Sequence, residues 1–255
     1  MKIKKMLFAA FLTAALLGGN SLFAQSSSYL NLGLSIPQGE FGSKTDNCAL
    51  LNPNSTMGGA NLGANLGFKF IANTKAKGLG IMFTVDGMYN RLQKDIHTED
   101  FIDFNFGNIA GLDMKTQRPS YLNIPIMLGL NYAFNFTDMI GIFVEGGAGV
   151  DARFVLPGSV KANGTLLGTT HDFNYEYHYT PKFAFAYQIG GGFIINKVIS
   201  VGVSYYNLGI SEVAGHTDYF YNTNLFNHAD SYSTDFSNKE ISTSMLLVRL
   251  GIRLQ

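Results

Sequence analysis

The amino-acid sequence predicts an all-β fold, an eight-stranded antiparallel up-and-down transmembrane β-barrel. Three observations predict it: a leader-like N-terminus, eight segments in which apolar and polar residues alternate, and connections that are by turns short and long. The leader comes first. Lys2, Lys4 and Lys5 precede an apolar run from Met6 to Leu17, and Leu22-Phe23-Ala24 closes it. This is the pattern of a secretory signal peptide cut after Ala24. The run is about a dozen residues, short of the roughly 20 that a helix needs to cross hydrocarbon, which disfavours a retained anchor. The expected organisation is therefore a signal peptide over 1–24 and one barrel domain over 25–255. Cys48 is the single cysteine, so neither an internal disulfide nor a lipid-bearing cysteine at the cleavage site is expected.

Basic and acidic residues balance at 18 each, and loss of the three leader lysines leaves the mature chain slightly acidic. Such a chain has no electrostatic pull on nucleic acid. About 230 mature residues are an ordinary length for one all-β domain.

Alternation marks strands whose two faces meet different surroundings. In the first segment Leu30, Leu32, Leu34 and Ile36 oppose Asn31, Gly33 and Ser35. The second sets Ala60, Leu62, Ala64, Leu66, Phe68 and Phe70 against Asn61, Gly63, Asn65, Gly67 and Lys69. The third opposes Leu79, Ile81, Phe83, Val85 and Tyr89 to Gly80, Met82, Thr84, Asp86 and Asn90. In the fourth, Leu122, Ile124, Ile126, Leu128, Leu130 and Tyr132 face away from Tyr121, Asn123, Met127 and Asn131. The fifth places Ile142, Val144, Ala148, Val150, Ala152 and Phe154 opposite Glu145, Gly147, Gly149, Asp151 and Arg153. The sixth opposes Phe183, Phe185, Tyr187, Ile189 and Phe193 to Ala184, Ala186, Gln188 and Gly190. The seventh sets Ile199, Val201, Val203 and Tyr205 against Ser200, Gly202, Ser204 and Tyr206. The eighth sets Leu246, Val248, Leu250, Ile252 and Leu254 against Met245, Leu247, Arg249, Gly251 and Arg253.

Residues 71 to 77, 133 to 139 and 196 to 197 read as short turns. Residues 37 to 57, 93 to 118, 157 to 181 and 209 to 240 read as long polar connections. Short periplasmic turns and long outer loops are the signature of an outer-membrane barrel. With the first strand starting in the periplasm, all four long connections lie outside. Closure requires the first and eighth strands to pair, because an open edge in hydrocarbon leaves backbone groups bare. With the last strand ending at Leu254, no fused periplasmic module is expected.

A soluble eight-stranded barrel also alternates, so the direction of the apolar face decides between the two. The polar face carries glycines at 33, 63, 67, 129, 147, 149, 190, 202 and 251. An interior just wide enough for side chains needs such small residues, whereas a wetted surface does not. Lys69, Asp86, Glu145, Asp151, Arg153, Arg249 and Arg253 lie on that same face, and only Arg91, at a strand end, lies on the other. A charge facing lipid at mid-bilayer costs roughly 2 to 4 kcal/mol for Arg or Lys, which enforces this partition. The bulky apolar face therefore meets outer-membrane lipid.

The fourth strand, Tyr121-Leu122-Asn123-Ile124-Pro125-Ile126-Met127-Leu128-Gly129, resembles the Tyr-Leu-x-Ile-Pro strand of the outer-membrane β-barrel family common in Bacteroidetes that includes PorT-like proteins. The glycine-rich hairpins at 141 to 149 and 189 to 204 and the end Val248 to Leu254 are similar to it as well. The resemblance spans the mature chain. It implies an eight-stranded outer-membrane barrel, usually without an assigned activity, with a minority of members acting in protein secretion.

Three groups of residues invite a chemical reading. Asp86, Glu145 and Arg249 face the lumen at compatible depths and are expected to form a hydrogen-bonded plug; the competing reading is a narrow path for protons or small ions. His97, His171, His178, His216 and His228 fall in the long connections, two of them near Asp172 and Glu176, but their spacing matches no metal signature and supplies no catalytic triad. No catalytic residue, metal or cofactor is assigned. Tyr175, Tyr177 and Tyr179, and Tyr219 and Tyr221, alternate as strand extensions above the membrane would. Tyrosine gives large contact area with little rotamer entropy to lose, which suits capture of a protein or glycan partner. The resulting expectation is a monomeric, non-enzymatic barrel with a structural or surface-interaction role. A channel, a rim enzyme and a secretion-machinery subunit are the alternatives.

Overall fold

The computed structural model describes residues 26–43, 58–93, 112–137, 139–166, 169–223, 228–237 and 240–254. The expected signal peptide, Cys48 and His97 lie outside the described residues. The strands are β1 (Ser26–Gln38), β2 (Gly63–Asn73), β3 (Leu79–Arg91), β4 (Leu112–Gln117), β5 (Ser120–Asn135), β6 (Ile140–Leu156) and β7 (Gly158–Leu166). They continue with β8 (Thr169–Tyr179), β9 (Lys182–Ile195), β10 (Ile199–Ser211), β11 (Ala214–Thr223), β12 (His228–Ser237) and β13 (Ile241–Leu254). Eight of them close an antiparallel barrel in the order β1-β13-β10-β9-β6-β5-β3-β2. The first and last strands pair as closure demands, with Leu32 opposite Leu250 and Gly33 opposite Arg249.

Barrel strands run from 11 to 17 residues, and a tilted crossing of hydrocarbon uses about 9 to 11. The faces sort as the alternation predicts. Leu32, Leu128, Phe183 and Ile189 stand outward and exposed, whereas Lys69, Asp86, Glu145 and Arg249 are buried inside. On the eight barrel strands Arg91 is the one outward charge. It sits at the C-terminal end of β3, where its Nε donates to the Tyr89 hydroxyl at 3.4 Å. The β9–β10 connection is a two-residue hairpin, Asn196-Lys197, with φ of 52° and 59°, and Val198 N–H donates to Ile195 O at 3.1 Å. Both central residues of a type I′ turn need positive φ, and this turn follows the twist of the flanking strands.

The long connections differ from expectation. Residues 93 to 118, 157 to 181 and 209 to 240, read from the sequence as polar connections with strand extensions at the tyrosine runs of 175 to 179 and 219 to 221, contain among the described residues five strands that form a second sheet in the order β12-β11-β8-β7-β4. That order repeats β13-β10-β9-β6-β5 of the barrel, so five barrel strands have counterparts beyond it. Pro119, Pro157 and Pro181 stand at three of the junctions. Proline cannot donate to a ladder, which suits it to these breaks between barrel and sheet. At the fourth junction β10 carries a bulge between Asn207 and Ile210. Gly209 there takes φ +78°, and its N–H donates to Asn207 Oδ1 at 2.9 Å.

Two smaller differences concern strand ends. The second strand begins at Gly63 rather than Ala60, because Ala60 bridges Leu92 at the top of the barrel and is buried instead of facing lipid. The first long connection opens with a one-turn helix, Gly39–Gly42, that drops Phe41 into the barrel mouth. The Phe41 ring meets Tyr121 edge-on at 4.9 Å.

Candidate functional site

The lumen is filled in layers. Toward the end with the short turns Tyr29, Ile71 and Met82 pack together. Toward the outside Phe41, Met88, Tyr121, Met127, Tyr206 and Met245 belong to a larger apolar cluster. Between them lies an ionic layer. The three charges predicted to meet do meet: Arg249 Nη2 lies 2.6 Å from Glu145 Oε1, and Arg249 Nη1 lies 3.7 Å from Asp86 Oδ1. Two further members were not assigned to the site from sequence. Lys69 Nζ donates to Glu145 Oε2 at 2.9 Å, and the Tyr206 hydroxyl donates to Asp86 Oδ2 at 2.8 Å. Arg249 Nη1 also donates to that hydroxyl at 3.2 Å.

Two cations thus face two carboxylates, and hydroxyls fill the space between them. Asn65 Nδ2 donates to Asp86 Oδ1 at 3.2 Å, and Ser204 Oγ to Glu145 Oε1 at 3.4 Å. Lys69 Nζ also lies 4.6 Å from the centre of the Phe143 ring. Charges taken out of water stay folded only when paired and hydrogen-bonded, and this layer meets both conditions. Interior glycines make room for it. A Cβ on Gly67 would overlap the Asp86 carboxylate, and one on Gly190 would overlap Ser204 Oγ.

The inward parity of Lys69 was legible in the sequence, but its partner was not. Barrel shear sets which inward residues share a depth, and no local pattern encodes shear. Below the layer a vestibule of about 410 Å³ opens at the end with the short turns, lined by Lys75, Lys77, Lys197 and Arg253 among others. Above it Arg153 donates through Nε to Asn123 Oδ1 at 3.2 Å.

The second sheet has two unlike faces. Pairing of β8 with β11 puts Tyr175 opposite Tyr219 and Phe173 opposite Tyr221, and β12 adds Tyr232 opposite Tyr219. Tyr175, Tyr219 and Tyr232 form a row across three strands, with successive centroids 4.7 Å apart. Phe173 and Tyr221 stack at 4.6 Å, and His171 Nδ1 lies 3.0 Å from the Tyr221 hydroxyl. Of the five tyrosines singled out from sequence, Tyr177 is 1% exposed and packs with Val160. It is core of the sheet and offers no contact surface. Tyr179 joins the same cluster. Tyr232, at 57% the most open ring of the row, was missed because it stands in a Ser- and Asp-rich stretch.

Burial pushes the Tyr175 phenol up to about 12, with the neighbouring Tyr219 and Tyr232 phenols adding to the rise. The opposite face is polar. It carries His178 opposite His216 and Glu176 opposite Asp218.

A closed barrel whose belt is apolar and whose charges are interior has one stable setting, a bilayer. The chain is a β-barrel of the cell outer membrane. No known family profile matches it, and no curated protein matches it in sequence. Solved structures similar to it include Ail, the attachment invasion locus protein of Yersinia pestis, at 13% identity and a TM-score of 0.38 over 90% of this chain and 99% of that one. The outer membrane protein OprG from Pseudomonas aeruginosa matches at 11% identity and a TM-score of 0.39 over 90% and 96%. Neisserial surface protein A matches at 8% and 0.37 over the same shares. Overlays this loose carry no function from those proteins to this chain.

Proposed function

We propose that this protein is a closed, non-enzymatic, monomeric barrel whose task is to hold the two-faced sheet above the membrane, and that the aromatic face of that sheet takes up a protein or glycan partner. The observation that carries this reading is the row Tyr175, Tyr219 and Tyr232, which ends in a ring more than half exposed. An aromatic row on a hydrogen-bonded sheet is already ordered, so a partner meets apolar area and hydroxyls at small entropic cost. The ionic layer and the apolar cluster above it support a scaffold role for the barrel in preference to a conduit.

The test is binding by cells displaying the protein to a glycan array and to surface-exposed proteins captured by cross-linking. Tyr219→Ala/Tyr232→Ala is expected to lose the partner while the barrel stays folded and inserted. Undiminished capture by this double variant would end the reading. For the lumen, planar-bilayer recordings are expected to be silent, and steady single-channel currents that change with Glu145→Ala would replace the scaffold with a narrow channel.

A further inference from the structure

The polar face of the outer sheet holds a cluster that sequence spacing did not reveal. His178 and His216 are far apart in the chain, yet the register of β8 and β11 sets them directly opposite each other. Two residues along, on the same face, Glu176 stands opposite Asp218. The result is a square of two imidazoles and two carboxylates on adjacent strands. His178 Nε2 lies 3.4 Å from Asp218 Oδ2, His216 Nε2 lies 3.9 Å from the same oxygen, and His178 Nε2 lies 3.9 Å from Glu176 Oε2. The donor atoms of His178, His216 and Asp218 all lie within 4.8 Å of one another.

We propose that this square is a binding site for a divalent transition-metal ion of the zinc class. The donor set is the first reason. Neutral imidazole nitrogen with carboxylate oxygen selects zinc and its neighbours, whereas calcium and magnesium prefer all-oxygen sites. Geometry is the second. Ligand bonds of about 2.0 to 2.2 Å in a tetrahedron place donor atoms roughly 3.3 Å apart, so the square must tighten by less than about 2 Å.

Rotation of the side chains supplies that movement. The two imidazoles now lie face to face, with centroids 4.9 Å apart and an interplanar angle of 23°. Turning each about its Cβ–Cγ bond aims both Nε2 atoms at the space beside Asp218 Oδ2. The ladder holds the two histidines as a directly opposed cross-strand pair, which keeps their side chains within reach of each other. With His178, His216 and Asp218 as ligands, a fourth position remains for water or for Glu176. Glu176 has a competing partner in Lys161, 3.8 Å away and itself half exposed. The site lies on the face opposite the tyrosine row, so it stands independently of the proposed partner surface.

Calorimetric titration of the untagged protein in detergent micelles with zinc chloride tests the proposal. One zinc per chain is expected, with calcium chloride giving no heat of binding at the same concentrations. His178→Ala and His216→Ala are each expected to weaken zinc binding by about tenfold or more, since even the partners of metal ligands are typically worth 10- to 100-fold. His171→Ala, on the other face, is expected to leave it unchanged. Cobalt(II) replacing zinc should show the visible absorption of a four-coordinate ion, and that absorption should vanish in His178→Ala/His216→Ala. These side chains project from the sheet surface, and an unchanged far-ultraviolet circular dichroism spectrum checks that each variant is folded. No zinc uptake by the wild-type protein, uptake unaltered in the double variant, or equal binding of calcium lost only in Asp218→Asn would each overturn the proposal.

Discussion

The barrel and the sheet above it share one strand order and one period, yet they read that period in opposite senses. In the barrel, Leu128 and Phe185 point outward into lipid while Glu145 and Arg249 point inward to one another. In the sheet, water reaches the polar face of Glu176 and Asp218, and the rings gather on the other side around Val160 and Tyr177. Alternation therefore declares a strand without declaring its solvent. What declares the solvent is the company kept by the small residues. Interior glycines such as Gly67 sit against the side chains they make room for, as a narrow lumen requires. Closure is the second difference: the barrel has no edge, whereas among the described residues β4 and β12 stand at the two ends of the sheet.

If the barrel is held by its ionic layer, the largest effect in the molecule should come from removing one member of it. Arg249→Met leaves the Asp86 and Glu145 carboxylates in the lumen with Lys69 as the one cation beside them among the described residues. Breaking a buried pair in this way costs about 3 to 5 kcal/mol. Urea unfolding in detergent, followed by circular dichroism, should show a midpoint lowered accordingly; an unchanged midpoint would mean that water in the lumen already screens these charges. A smaller loss is expected from Gly67→Val, whose added carbons overlap the Asp86 carboxylate. Overpacking of that kind costs about 1 to 3 kcal/mol. The same measurement on Gly87→Ala, where a Cβ would meet only ordinary contact with Leu66 O at 3.6 Å, should show little change and so sharpen the contrast.

The contrast also explains what the sequence could and could not declare. All eight barrel strands were legible because bulky apolar residues recur at every second position over seven or more residues, as in Leu122 to Tyr132. Their inward partners were legible as a face but not as a set of contacts. Asp86, Glu145 and Arg249 were grouped by parity and rough depth, whereas Lys69 and Tyr206 joined them only once the register was fixed. Of the sheet strands, β8 and β11 showed in part through their alternating tyrosines, whereas the others hid for a different reason. β12, His-Ala-Asp-Ser-Tyr-Ser-Thr-Asp-Phe-Ser, alternates two aromatic rings with serine, threonine and aspartate, a composition shared with solvated loops. The histidine and carboxylate square hid for the reason that Lys69 did: cross-strand register is a long-range property, and short spacing rules do not reach it.

The smallest effect separates the two regions by pH. In the sheet, burial raises the Tyr175 phenol to about 12, and the adjoining Tyr219 and Tyr232 phenols raise it further. Burial also raises Tyr177 and Tyr179. A phenol whose folded value stands above its free value of about 10 contributes stability that is fully present below pH 10 and is lost as pH climbs through the folded value. The sheet should therefore loosen between about pH 10 and 12, and the near-ultraviolet circular dichroism of its stacked rings should fade over that interval and return on neutralisation. A tyrosinate titration followed by ultraviolet absorbance identifies the residue responsible. Tyr175→Phe should remove one phenol from the late-ionising group and leave the early group, near pH 10, intact. Loss from the early group instead would show that the ring row is wet, and the aromatic face would then have no dry centre to distinguish it from the polar face behind it.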